Sequence, residues 1–391
     1  MSRLCIRPWS AAAPLVLSLF LEFGATAQGQ WTVTVLHPAG AANSRGLSIW
    51  GNNQVGYSVF GSQTRASLWH GTSASWTDLT PPSAVQSQLL GCDEFSQVGY
   101  VFTGGRIHAG LWAGTVGSFI DLNPIANVSS AAYAVSTGRQ VGRIAVGSVD
   151  HACVWNGSAT SCTDIHPKDF NSSYALAAFG TDFVGYANLP TTSHAILWRN
   201  AGGLWIDLNP AGSTASQAFG VSVNEQVGFA RPTGVDHAAL WHGTAGSWID
   251  LHAGTGAKSR AYGASNGVQA GVTNYNSGIE HAAVWMGNAE SWVDLHPNNY
   301  NATTALSVWN DGNFIYVLGY GVQGSVQTAL LWTKAKSCPG DFDNDGFVTG
   351  ADYDLFVLAF EAGDLSADFD GDGFLTGVDF DQYVAAFEEG C

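Results

Sequence analysis

Three kinds of apolar patterning follow one another along the chain. Near the N-terminus the run "AAAPLVLSLFL" from Ala11 is predominantly apolar. From Trp31 to Trp332 apolar residues come in short segments that alternate with polar ones or form brief runs, separated by Gly, Ser, Asn or Asp. This is strand patterning with turn punctuation. Beyond Ser337 the spacing becomes i, i+3, i+4 and i+7, in Tyr353, Phe356, Val357 and Phe360 and again in Phe380, Tyr383, Val384 and Phe387. That spacing predicts two helices, each with one apolar face.

The strand region is periodic. A tryptophan ends segments such as "HAGLW", "HACVW" and "HAALW" at Trp69, Trp112, Trp155, Trp198, Trp241, Trp285 and Trp332, spaced 43, 43, 43, 43, 44 and 47 residues. A glycine in "QVGY"-like segments keeps the same beat at Gly56, Gly99, Gly142, Gly185, Gly228, Gly271 and Gly319. Each unit divides into four predicted strands, which in the fifth are "AFGVS", "QVGFA", "HAALW" and "WIDLH". Four strands in about 43 residues is the size of a β-propeller blade. Residues "WTVTVLHP", Trp31 to Pro38, match the last segment of a unit but lack the preceding one, whereas the final unit stops at Trp332 without it. Placing the N-terminal segment as the outer strand of the last blade would close the ring and remove its open edges.

Composition fits a turn-rich all-β chain, with 46% apolar residues, only 12% charged and 48 glycines in 391 residues. Arg3 and Arg7, the apolar run and Ala25-Thr26-Ala27 together read as a secretory signal peptide over residues 1–27, cleaved before Gln28. No later stretch is long and apolar enough for a membrane span, so the expected product is soluble and secreted or held at the cell surface. The net charge of -17 is concentrated at one end: residues 338–391 hold 14 Asp or Glu and no Lys or Arg. No basic stripe offers itself to phosphate, which excludes a nucleic-acid partner. Of the cysteines, Cys153 and Cys162 flank a tight predicted hairpin where a disulfide is geometrically reasonable, and Cys92 reads as a buried thiol.

The repeats carry many residues that elsewhere do chemistry. His108, His151, His194, His237 and His281 recur once per unit, as do Asp78, Asp121, Asp164, Asp207, Asp250 and Asp294. Copies on separate blades are dispersed around a ring, so structural hydrogen bonds are expected of them rather than a shared metal. His37, His166, His252 and His296 alternate with Asn123, Asn209 and Thr80 and read as turn residues. The predicted inner strands carry only small or apolar residues, Ile49, Cys92, Val135, Ala178, Val221 and Ala264 among them. No catalytic residue is therefore assigned. Loop carboxylates such as Asp93, Glu94, Asp150, Asp182 and Asp236 read as solvated turn residues, and the non-repeating Trp50 and Trp309 as candidates for a ligand surface.

The C-terminal chemistry is sharper. Two twelve-residue loops place Asp341, Asp343, Asp345, Phe347, Thr349 and Asp352, then Asp368, Asp370, Asp372, Phe374, Thr376 and Asp379, at positions 1, 3, 5, 7, 9 and 12, with Gly346 and Gly373 at 6. Alternating hard oxygens, a glycine for the sharp turn and a backbone carbonyl at position 7 are what a calcium loop requires, so two Ca²⁺ ions are expected. Position 12 is Asp where an EF-hand usually has Glu, and the full helix before each loop is missing.

Two resemblances follow from these motifs. The phased "QVGY", "HAxLW" and "DL" segments over residues 31–332 resemble bacterial extracellular HAF repeats, which implies an exported protein and brings no defined activity. Residues 338–391, loop then helix twice, resemble a type I dockerin, which implies docking to a cohesin-like partner through its helices and loop positions 10 and 11. Those positions are Gly350-Ala351 and Gly377-Val378, unlike the polar pairs of cellulosomal dockerins. The ending Gly390-Cys391 is similar to planctomycete-type dockerin tails that serve in surface anchoring; a Cys338–Cys391 disulfide is the other reading. The expected architecture is a seven-bladed β-propeller over 28–333, a linker at 334–337 and a small α-helical EF-hand-like module at 338–391. The expected function is non-catalytic binding and display with a calcium-dependent attachment tail. The alternative is a dockerin-borne carbohydrate-active enzyme, or a lectin, acting on polysaccharide.

Overall fold

Every "HAxLW" and "QVG" segment forms a strand, and the strands assemble into seven four-stranded antiparallel sheets. The structure, a computed structural model, describes residues 31–125, 128–253, 258–274, 278–335, 339–343 and 348–389. The proposed signal peptide, Cys338, Asp345, Gly346, Phe347 and the Gly390-Cys391 ending lie outside the described residues.

Blade 5 represents the set, with strands Ser216–Ser222, Glu225–Ala230, His237–Trp241 and Ile249–Asp250 in spatial order. The stretch from His237 to His252 is thus the outer hairpin, turned by a short 3₁₀ segment at Ala245–Ser247. The first strands of successive blades touch one another around the full circle, the first blade's meeting the last. The seventh sheet is completed by Thr32–Val35, which pairs with Val326–Ala335 as the repeat arithmetic predicts.

The marker glycines have a common cause. In each innermost strand the pairing skips one residue, at Leu47, Leu90, Tyr133, Leu176, Phe219, Tyr262 and Leu306. Such a bulge bends its strand and presses a backbone carbonyl toward the second strand. A Cβ on any of the seven glycines would stand 1.8 to 2.0 Å from that carbonyl oxygen. Only glycine lets the two backbones approach so closely. The adjoining Gln is explained too: in blades 1, 2, 3, 5 and 6 its side-chain oxygen accepts the glycine N–H that opens the outer hairpin, as Gln226 does from Gly243. Blade 4 has Phe183 in that place, and its outer hairpin is built differently, around the longer strand Leu204–Asp207.

The core consists of seven apolar clusters, one at each junction between neighbouring blades. The cluster of Ala218, Val221, Ala239 and Trp241 with Val184, Leu197 and Leu208 joins blades 4 and 5. All seven repeat tryptophans are fully buried in these junctions. The indoles of Trp112, Trp198 and Trp332 also donate to a carbonyl of the preceding blade, at Leu79, Ile165 and Leu295. A polar staple crosses every junction: the alanine N–H of "HAxLW" donates to a Ser or Thr hydroxyl on the next blade's first strand, at 2.9 to 3.0 Å in all seven cases. The junction between blades 7 and 1 uses the same device, Ala329 to Ser44.

The C-terminal region forms two helices, α1 (Gly350–Ala362) and α2 (Gly377–Glu389). Thr349 caps α1 in a reciprocal pair with Asp352. The predicted apolar faces meet: Phe356 stacks on Tyr383 with ring centroids 3.8 Å apart, and Tyr353, Val357, Phe360, Phe380 and Phe387 pack around them. Among the described residues, no helix is long and apolar enough to cross a membrane.

Candidate functional site

The repeated histidines and aspartates are dispersed, each pair within its own blade. Nδ1 of His108, His151, His194, His237 and His281 lies 2.7 to 2.8 Å from Asp121, Asp164, Asp207, Asp250 and Asp294 respectively. The other oxygen of each Asp accepts a backbone N–H two residues on, closing the turn. The second histidine set stacks on the first, with ring centroids 3.9 to 4.2 Å apart in blades 3, 5 and 6. Among the described residues, no propeller group brings three metal-ligand atoms together.

The second set completes the staples. His166 Nε2 lies 3.0 Å from the Phe170 carbonyl, so it carries the proton, and Nδ1 accepts from the Ser173 hydroxyl at 2.8 Å. Asn123 and Asn209 accept from the corresponding serines in blades 2 and 4. Burial, then the neighbouring His151, holds the His166 imidazole below its ordinary value, against the pull of Phe170 and Asp164. His296 is lowered in the same way by burial and His281. Between the folded value and about 6.5 the unfolded chain binds more protons, so this contribution to stability is complete above pH 6.5 and lost as pH falls below it. The melting temperature should therefore decline from pH 7 to pH 5. His166→Asn with His296→Asn, which copies blades 2 and 4, should flatten that decline in a thermal melt series; an unchanged slope would remove these histidines from the account.

The central channel contains a cavity of ≈ 350 Å³ lined by the seven bulged residues and the small inner-strand residues after them. No Asp or Glu is among its lining residues. Trp50 and Trp309, the candidates for a ligand surface, lie with ring centroids 4.2 Å apart beside the same cavity. They are half-buried, however, and pack on the junctions flanking blade 1. Cys92 also lines the cavity, where burial pushes its thiol up to about 12 and leaves it inert. Cys153 and Cys162 are unbridged but share a hydrogen bond, which lowers the Cys162 thiol, while burial raises Cys153.

Three of the loop carboxylates depart from the expected solvated state: Asp93 is buried and accepts the Phe95 and Ser96 N–H groups, and Asp150 and Asp236 reach a neighbouring blade. Asp150 and Asp236 occupy equivalent places just before the repeat histidine, and each reaches the next blade 24 residues on, Asp150 to the Tyr174 hydroxyl and Asp236 to Arg260. Ser193 and Gln217 bridge blades 4 and 5 in the same manner. Asp236 is only 5% exposed because two guanidinium groups, Arg231 and Arg260, replace its water. Burial works against its ionised form, but the bonds from Arg260 and Arg231 outweigh that and hold its carboxyl below the usual range. Sequence inspection missed this cluster because Arg260 comes from the next blade, 24 residues beyond Asp236.

In the C-terminal region, the carboxylate oxygens of Asp341, Asp343 and Asp352 lie within 4.8 Å of one another, as do those of Asp368, Asp370 and Asp372. Each group offers the convergent hard oxygens that a divalent cation needs. The two position-12 residues are fully buried. Asp352 accepts from the Asp343 and Thr349 N–H groups, and Asp379 from those of Phe369, Asp370 and Thr376. These bonds tie each loop to the first turn of its helix. In the second loop Asp379 makes these bonds close to the three converging carboxylates of Asp368, Asp370 and Asp372. The remaining second-loop aspartates shape the turn: Asp368 accepts from Gly371 and Gly373, Asp370 from Asp372 and Asp372 from Phe374.

No protein-family model matches the chain, and no curated protein matches it in sequence. Solved structures do match. An oligogalacturonate lyase in complex with manganese aligns over 79% of this chain and 98% of its own, at TM-score 0.51 and 10% identity. An oligogalacturonate lyase from Vibrio parahaemolyticus aligns over 78% and 96%, at 0.51 and 8%. A puromycin hydrolase mutant aligns over 73% and 51%, at 0.52 and 11%, so this chain spans about half of that protein's length. At these identities the likeness shows the propeller fold alone.

Proposed function

We propose that the chain is an exported, non-catalytic binding and display protein. The propeller supplies the binding face. The two acidic loops take up two Ca²⁺ ions and complete a dockerin-like module, which attaches the protein to a cell-surface or cohesin-like partner. The observation that carries this reading is the paired construction at the C-terminus: twice, three carboxylates converge and a buried Asp ties the loop to a helix. Bound calcium would neutralise carboxylates that otherwise repel one another, and the convergence of Asp341, Asp343 and Asp352 and of Asp368, Asp370 and Asp372 supports them as the side chains that would hold it. A channel lining without Asp or Glu supports a binding role over hydrolysis, since glycoside hydrolysis needs two carboxylates facing one bond. The HAF-like repeats and the N-terminal apolar run support export.

Reducing-end release from plant and algal polysaccharides tests the non-catalytic part. No release above a boiled control is expected from the full chain with Ca²⁺ present. Release abolished by one carboxylate substitution would overturn it and establish an enzyme.

A further inference from the structure

On the face formed by the loops between second and third strands, a cavity of ≈ 510 Å³ opens between blades 4, 5 and 6. Its size lies within the range of small-molecule sites. Arg231 and Arg260 line it together with Thr192, Ser193, Thr214 and Gln217. The two guanidinium groups share one carboxylate. Arg231 Nε and Nη2 each lie 2.8 Å from Asp236 Oδ1, and Arg260 Nε lies 2.8 Å from Oδ2 with its Nη2 in contact. Two positive charges against one negative leave the cavity cationic in a chain of net charge -17.

The arginines are built in place. Both stand over the buried Phe229 ring, their Cζ atoms 5.8 and 5.0 Å from its centroid. A fixed, planar, half-exposed fork costs less to order on binding than a free surface side chain. Each guanidinium has five N–H donors, and Asp236 occupies only the Nε and Nη2 edge. Arg260 also hydrogen-bonds Tyr262, so the free donor edge belongs chiefly to Arg231. Thr192, Ser193 and Thr214 donate their hydroxyl protons to backbone carbonyls and Gln217 donates to Ser193, which leaves hydroxyl and amide oxygens as acceptors around that edge.

We infer that this cavity binds an acidic saccharide, with the sugar's carboxylate on Arg231 and Arg260 and its hydroxyls on the Thr, Ser and Gln side chains. Guanidinium forks match planar carboxylates, and alternating hydroxyl and amide groups suit a polyhydroxylated ring. This deepens the reading of the propeller as a binding face and does not depend on the calcium loops.

The test is calorimetric titration of the full chain with a uronic-acid trisaccharide (trimannuronate), its neutral methyl ester, a sulfated neutral trisaccharide and inorganic sulfate. The trimannuronate should bind, more weakly as salt rises, and the ester about ten-fold or more weaker. Arg231→Gln removes the excess charge while Arg260 keeps Asp236 paired; it should weaken binding by about ten-fold or more and leave the melting temperature close to wild type. Thr191→Trp, at the exposed lip, should block binding without touching the ion pairs. Equal binding of acid and ester, unaffected by Arg231→Gln, would overturn this site while leaving the propeller a binding platform. Tighter binding of the sulfated sugar than of the uronate would overturn the carboxylate assignment. Binding of inorganic sulfate alone, or of nothing, would overturn the saccharide site; the attachment module is judged separately by its calcium titration.

Discussion

Gly228→Ala is expected to lower stability by at least about 3 kcal/mol, the upper end of what overpacking usually costs. The added Cβ would stand 1.9 Å from the Gln217 carbonyl oxygen and 2.8 Å from Ala218 Cα. Neither contact is the mobile end of a side chain. Retreat of the first strand is blocked, since Ala218 is fully buried at the junction with blade 4 and the bulged Phe219 lies against Phe229 and Tyr262. The other blades are equally tight, so substitution of any marker glycine should behave alike. Gly246→Ala is the control: it lies in the outer hairpin with nothing within 4 Å of its Cβ position. Denaturant unfolding of both variants decides the matter; near-equal midpoints would show that the bulge adjusts and that the repeating glycine has another cause.

Asp370→Asn should change sign with calcium. In chelator, the substitution removes one of three clustered negative charges while the amide oxygen can still accept the Asp372 N–H, so the C-terminal helices should become more stable. The Asp370 carboxyl is already raised overall: the Asp372 N–H is the largest single influence and lowers it, but loss of water and then the negative charges of Asp372, Asp379 and Asp368 outweigh that bond. In saturating calcium the same change removes a charged ligand. The full chain should then bind one ion tightly instead of two, and the helices should become less stable than in wild type. Calcium titration by calorimetry with far-ultraviolet circular dichroism reads both arms. A stoichiometry of two in the variant, or no calcium binding in wild type, would remove the loop assignment.

What could be read from the sequence was whatever repeats within one unit. Trp241 and its equivalents, the glycine beat and the missing pieces at either end define seven sheets and their closure, because a blade is built from contiguous residues. The helix faces at Phe356 and Tyr383 were legible for the same reason. The bulges were not: one extra residue such as Phe219 in a strand leaves the apolar pattern intact and shows only in the pairing. The Arg231, Asp236 and Arg260 cluster was hidden because its second arginine comes across a blade boundary, 24 residues from Asp236. Read singly, Asp236 is an ordinary loop acid; it is buried only because a neighbouring blade contributes the second arginine.

The seam at Thr32–Val35 also sets the order of events during biosynthesis. This strand is the first part of the ring to be synthesised, yet its partner, Val326–Ala335, is made about 300 residues later. Val33 and Val35 therefore pass most of translation as an unpaired β-edge, open to pairing with the wrong chain. Six blades can zip up from neighbouring residues, but the seventh must wait for an end-to-end encounter, which is slow. Circularisation is thus expected to be the final kinetic step, and the interval before it the one in which aggregation and proteolysis compete with folding.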